Sequence, residues 1–266
     1  INSGSIVELP EGKEANIKAV NGKYEIKPGE PIEENCILMV NGKVVIHPNT
    51  ESVLSKIDYF AVNGKITCPE SLMACIKKIK INGKVSYYPD DSIVIDSNFN
   101  MDKYFPMRVV QDGLYWAEEQ IIITDEDIDI SKLTSKNVRF STKKLIVNEK
   151  FADDLIPLFN IEAKIEVVPI GFYAYTGKTV IKNENIKKNG GKIIIFGEAS
   201  FDEKFTAFNF IEKLIVKGKL SIFEYQVEKF EKIDAEYENL NMLTNARRIT
   251  EVLKAKIDKA LLEKSV

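Results

Sequence analysis

The sequence predicts an α/β repeat protein, a solenoid of parallel strands joined through short helices. Three observations carry this. An apolar residue followed by Asn-Gly-Lys and a second apolar or aromatic residue recurs four times at close to twenty-residue spacing. Each copy runs on to a proline. Between copies the apolar period shifts from that of a strand to that of a helix.

The copies are Val20-Asn21-Gly22-Lys23-Tyr24, Val40-Asn41-Gly42-Lys43-Val44, Val62-Asn63-Gly64-Lys65-Ile66 and Ile81-Asn82-Gly83-Lys84-Val85, with asparagines 20, 22 and 19 residues apart. The prolines are Pro28, Pro48, Pro69 and Pro89. Leu72, Cys75, Ile76 and Ile79 then fall at helical spacing, as do Val53, Leu54 and Ile57. Degenerate copies follow at Val147-Asn148-Glu149-Lys150-Phe151 and Val216-Lys217-Gly218-Lys219-Leu220. Strand candidates between them are Ile121–Ile123, Ile165–Val168 and Ile193–Phe196. Asp153 to Phe159 and Asp202 to Ile211 read as later helical segments, each opened by a capping Asp.

This order of strand, turn and short helix resembles the leucine-rich-repeat class, over roughly residues 15–95 and more weakly 131–235. The resemblance implies a parallel sheet along one side of a stack. The family places its Asn three residues after the last strand leucine, whereas here each Asn directly follows the apolar residue. The competing fold is a β-rich array of stacked hairpins, because Asn-Gly between alternating apolar residues is a strong type I′ turn signal.

Four segments follow. Residues 1–95 hold the clear repeats, and 96–130 form an irregular insertion or hairpin around Gln111-Asp112-Gly113-Leu114-Tyr115-Trp116. Residues 131–235 carry the degenerate repeats. Residues 236–266 read as a C-terminal helix, with Leu240, Leu243, Ile249, Val252, Leu253 and Ile257 on one face, serving as a cap or for self-association.

Composition narrows function. With 44% hydrophobic and 29% charged residues, the chain is globular in type rather than disordered. Net charge is −3, and of 37 basic residues only Arg108, Arg139, Arg247 and Arg248 are arginine. A nucleic-acid partner is therefore not expected. No run is apolar enough to span a membrane. One histidine, His47, and three cysteines, Cys36, Cys68 and Cys75, supply neither a multi-histidine metal site nor a disulfide framework. The chain begins at Ile1 without an initiator methionine, which leaves room for a segment removed upstream. The expected compartment is cytoplasmic, or the cell surface if that segment was a signal.

Catalytic motifs fail on inspection. Tyr175-Thr176-Gly177-Lys178-Thr179 ends like a phosphate-binding loop, but five residues separate Gly171 from Gly177 and bulky aromatics fill the loop. Asp125-Glu126-Asp127-Ile128-Asp129 has calcium-loop spacing, but Ile130 and Lys136 stand where Gly and Glu are needed. His47 and Cys68 share the slot before the proline with Lys27 and Tyr88, which reads as a tolerant surface row. No catalytic residue, cofactor or metal is expected.

The repeat itself points to function. Residues one position before each motif face away from the core: Ala19, Met39, Ala61, Lys80, Ile146 and Ile215. Ile37 and Tyr59 extend that surface. The expected function is a non-enzymatic scaffold binding another protein through this face, with candidate residues Ile37, Met39, Tyr59, Ala61, Lys80, Ile146 and Ile215. The alternatives are a structural protein that assembles with itself, and an enzyme whose site lies within 96–200.

Overall fold

The computed structural model describes residues 16–76 and 79–244. It is built of parallel-strand sheets with short helices, an α/β-type fold. Contacts divide it into two compact units. The first comprises 1–146 and 153–166, the second 147–152 and 167–266. The sequence boundaries at 95 and 130 fall inside the first unit, and that at 235 falls inside the second.

The first unit opens with four long strands, β1 (Asn16–Ile26), β2 (Cys36–Ile46), β3 (Ile57–Pro69) and β4 (Lys80–Tyr88), in the order β1-β2-β3-β4. All three pairings are parallel. Val20, Val40, Val62 and Ile81 line up as adjacent rungs. So do the four Asn-Gly-Lys triplets. The chain returns from β2 and from β3 through a turn of helix, Glu51–Leu54 and Met73–Ile76 respectively, and from β1 through turns alone. Such short helices do not stand alone. They persist because Val53, Leu72 and Ile76 join a core with Leu38, Val40, Val44, Ile46, Phe60, Val62 and Ile66.

The stacked-hairpin alternative is overturned. A type I′ turn needs positive φ at both central residues and antiparallel arms. None of the four asparagines has positive φ, and each strand runs on through Asn-Gly with its parallel pairing intact. Only the glycines depart, and the reason is contact. At Gly64, φ +138°, a Cβ would stand 2.1 Å from the carbonyl oxygen of Gly42 below it. Gly42 and Gly83 meet their predecessors likewise. The glycines thus form a column in which each backbone rests on the last.

Seven shorter strands follow: β5 (Ser92–Val94), β6 (Asn98–Asn100), β7 (Leu114–Ala117), β8 (Gln120–Ile123), β9 (Arg139–Thr142), β10 (Lys144–Asn148) and β11 (Lys164–Val168). They form sheets in the orders β5-β7-β9 and β6-β8-β10-β11. The hairpin expected around Gln111–Trp116 is therefore corrected. Leu114–Trp116 pair in parallel with β5 on one side and β9 on the other. Trp116 is buried and tilts against Tyr88, their ring centres 5.6 Å apart. Phe105, Tyr115, Phe140 and Phe159 pack as an aromatic column, successive ring centres 5.3, 5.9 and 4.9 Å apart.

The second unit holds β12 (Tyr173–Thr176), β13 (Thr179–Ile181), β14 (Lys192–Phe196), β15 (Ala199–Phe201), β16 (Lys213–Phe223) and β17 (Ala235–Leu243). Tyr173, Ile193, Leu214 and Ala235 are successive register partners. A second glycine column, Gly177, Gly197 and Gly218, repeats the close backbone approach, with 2.4 Å from an ideal Cβ to the oxygen below at both later positions. Phe201, Phe205, Phe208 and Phe230 fill the core.

The C-terminal helix is corrected where it is described. Ala235–Leu243 is a strand paired with β16. Leu240 and Leu243 suit a helical face, but a short apolar run is ambiguous by period, and the parallel neighbour decides. Residues 245–266, with the rest of that expectation, lie outside the described residues.

Candidate functional site

Two surfaces of the first unit merit attention, and alternation along β1–β4 generates the first. Leu38, Val40, Phe60 and Val62 point into the core, so the residues between them point outward. Read across strands, the outer face carries in-register rows: Ile17, Ile37 and Tyr59; Ala19, Met39, Ala61 and Lys80; the four asparagines; and the lysines Lys23, Lys43, Lys65 and Lys84. The asparagines form an amide ladder. Asn41 Nδ2 donates to Asn21 Oδ1 at 3.2 Å, and Asn63 Nδ2 donates to Asn41 Oδ1 at 2.9 Å.

The candidate partner residues divide by exposure. Met39 is 40% exposed and Lys80 is exposed, while Tyr59 and Ala61 are half-buried. The Lys80 ammonium lies 5.2 Å above the Tyr59 ring, a cation–π contact. Ile37, at 6%, and Ile146, at 0%, are buried, so neither is offered to a partner. Ile37 stands between Ile17 and Tyr59, its register partners on the two flanking strands. Ile215, in the second unit, is half-buried between Ile194 and Glu236. Sequence alternation assigns a face, whereas exposure depends on what packs above it.

The second surface is a charged cluster absent from the sequence expectations. Glu118 and Glu119 occupy the break between β7 and β8, and Lys143 that between β9 and β10. Glu118 is 3% exposed yet ionically satisfied, pairing with Lys65 and with Lys84 at 3.4 Å. Ser86 Oγ donates to Glu118 Oε1 at 2.6 Å. Glu119 pairs with Lys143 at 2.9 Å and with Lys84 at 3.4 Å. The Lys143 hydrogen bond holds the Glu119 carboxyl below its ordinary range. Burial, followed by Lys43 and Lys84, pushes the Lys65 ammonium down. An open cleft of about 470 Å³ adjoins the cluster, lined by Lys84, Ser86, Trp116, Glu118, Lys143 and Asn160 among others. These ion pairs tie together the strands and strand breaks that carry them. The sequence signal is the doublet Glu118-Glu119 between apolar runs, the same interruption that Asn-Gly-Lys makes in the clear repeats.

The remaining motifs resolve into structure. Gly177-Lys178 joins β12 to β13, a strand follows instead of a helix, and Lys178 pairs with Glu198 at 3.2 Å. The near-miss phosphate loop is thus the first member of the second glycine column. Asp125 and Asp129 are exposed turn residues. Asp125 accepts the Asp127 amide at 3.0 Å, and Asp129 accepts Ser131 Oγ at 2.5 Å. The tolerant surface row is corrected: Cys68 and Tyr88 are fully buried. The registry counted from proline slips there, since Cys68 stands opposite Tyr87. Val147-Asn148 is not a rung of the Asn-Gly type either. Asn148 ends β10, and its side chain caps the following turn by accepting the Lys150 amide at 2.9 Å.

Among the described residues no group of three His, Cys, Asp or Glu is placed to hold a metal ion, and no helix is long and apolar enough to cross a membrane. No family model matches the chain, and neither does any curated protein or solved structure.

Proposed function

We propose that the protein is a non-enzymatic scaffold of leucine-rich-repeat-like solenoid stretches, and that the outer face of β1–β4 receives another protein. The supporting observation is the row Ala19, Met39, Ala61 and Lys80, with Ile17 at 67% exposure beside it. Parallel sheets are ordinarily covered on both faces, so an outer face carrying exposed Met and Ile is suited to a partner. In the solenoid reading, coil length equals the register offset. That offset is 20 residues from Asn21 to Asn41 and 20 from Tyr173 to Ile193.

The test places a photo-crosslinking residue at Met39 or Ala61 in the source cell, with Lys56 as an off-face control. Adducts of one defined protein from the face positions alone support the reading, together with their loss in a folded Met39→Lys variant. Equal adducts at Lys56, or binding untouched by Met39→Lys, remove it.

Self-association is the second reading, and β17 favours it. Among the described residues this strand is paired on one side only, with Tyr237, Leu240 and Met242 each more than 40% exposed. Open edges template further strands. Sedimentation that stays monomeric at high concentration would exclude it.

A further inference from the structure

We propose that Asn82 is a site of spontaneous modification in the folded protein, closing to a succinimide with the backbone of Gly83, and that the amide ladder shields Asn21, Asn41 and Asn63 from the same reaction.

The chemistry belongs to Asn-Gly as a sequence. The glycine backbone nitrogen attacks the asparagine Cγ, unobstructed by any Cβ. An N–Cγ bond forms and the Cγ–Nδ2 bond breaks. The amide nitrogen gives up its proton, and Nδ2 leaves as ammonia. Water then opens the ring at either carbonyl, producing aspartate or isoaspartate. One water enters, one ammonia leaves, and nothing is oxidised or reduced.

The fold sets the rate by what holds each side chain. To reach the glycine nitrogen, Cγ must swing out of its row, and any ladder bond must break first. Asn41 both donates and accepts, so it breaks two bonds. Asn21 and Asn63 break one each. The ladder ends at Asn63. Asn82 is exposed, carries no side-chain hydrogen bond among the described residues, and lies on β4, which is paired on one side only in its sheet. A net hydrogen bond slows such an opening by about fivefold, less where water competes. The expected order is therefore Asn82 fastest, Asn21 and Asn63 intermediate, and Asn41 slowest, with roughly 5- to 25-fold between the extremes. The product sets a carboxylate in the row beside Lys65 and Lys84. As isoaspartate it also lengthens the β4 backbone next to the glycine column.

The experiment incubates the folded full chain in mildly alkaline heavy-oxygen water and reads each site by mass spectrometry of chymotryptic peptides. Two variants isolate the ladder: Asn63→Ala removes the donor to Asn41, and Asn21→Ala removes its acceptor. The expected result is fastest label uptake at Asn82, a several-fold rise at Asn41 in either variant, and four converging rates in urea. Label at Asn82 no faster than at Asn41 overturns the proposal. So does an Asn41 rate that neither variant moves.

Discussion

Replacing Gly64 with alanine tests the glycine column directly. The ideal Cβ would lie 2.1 Å from Gly42 oxygen, whereas carbon and carbonyl oxygen tolerate about 3.3 Å. The two strands would have to part by about 1 Å against a normal spacing of about 4.8 Å. That weakens the flanking rung hydrogen bonds, about two of them at about 1 kcal/mol each. Alanine at φ +138° adds roughly 1–3 kcal/mol of backbone strain. Gly64→Ala is therefore expected to cost about 3–5 kcal/mol. Gly22→Ala is the internal control. It has positive φ, +103°, but nothing within 4 Å of its Cβ, so only the backbone strain applies. In a unit of this size 1 kcal/mol moves the melting temperature by about 2–4 °C. Gly64→Ala should lower Tm by roughly 6–20 °C and Gly22→Ala by roughly 2–12 °C. The only tryptophan, Trp116, lies in the first unit, so its fluorescence follows that unit's melting. Equal losses in the two variants would refute the reasoning, because both positions carry a positive φ but only Gly64 has a carbonyl oxygen in the way.

Three further outcomes follow. Glu118→Ala leaves Lys65 half-buried without its carboxylate and should destabilise the first unit by about 3–5 kcal/mol, with Glu118→Gln milder because Ser86 keeps a hydrogen-bond partner; the Trp116 melt reads both. Glu25 is held down to about 2 from an ordinary 4.5, by Lys23 first and Lys27 second. Its contribution is thus complete above pH 4.5 and fades as acid carries it towards 2. These pairs are largely exposed, so the effect is below about 1 kcal/mol and salt-sensitive, and an NMR titration of Glu25 with and without salt checks it. Among the described residues, the buried hydroxyls of Thr67 and Thr142 have no hydrogen-bond partner. Thr67→Val and Thr142→Val should be neutral or stabilise by up to about 1–2 kcal/mol, and a clear loss of stability in urea titration would contradict this.

The clear repeats made the strand half of the fold readable. Val-Asn-Gly-Lys-Val fixes alternation on both sides of the break, and its recurrence fixes parallel register through Ile81. Where Asn-Gly gives way to Glu118-Glu119 or Lys143, the interruption survives but its chemical label does not. The repeat therefore reads there as an insertion, and the ion-pair cluster escapes notice. Gly177 and Gly197 were hidden differently. Each has lost the asparagine, and Gly177 sits in a context resembling a phosphate loop. Exposure was the least legible property. Ile37 and Met39 share one strand and one outward face, yet only Met39 reaches solvent, because neighbouring side-chain bulk decides what alternation leaves open.

The asparagine ladder has a direction. Each amide donates a hydrogen bond to the strand before it, from Asn63 to Asn41 to Asn21, so the small side-chain dipoles line up like compass needles. A strand added ahead of β1 would meet Asn21 as a donor still to be spent, while one added beyond β4 would meet Asn82, which the ladder does not reach. Growth at the two ends is therefore chemically inequivalent, and a segment spliced in backwards would break the procession of amides at both seams.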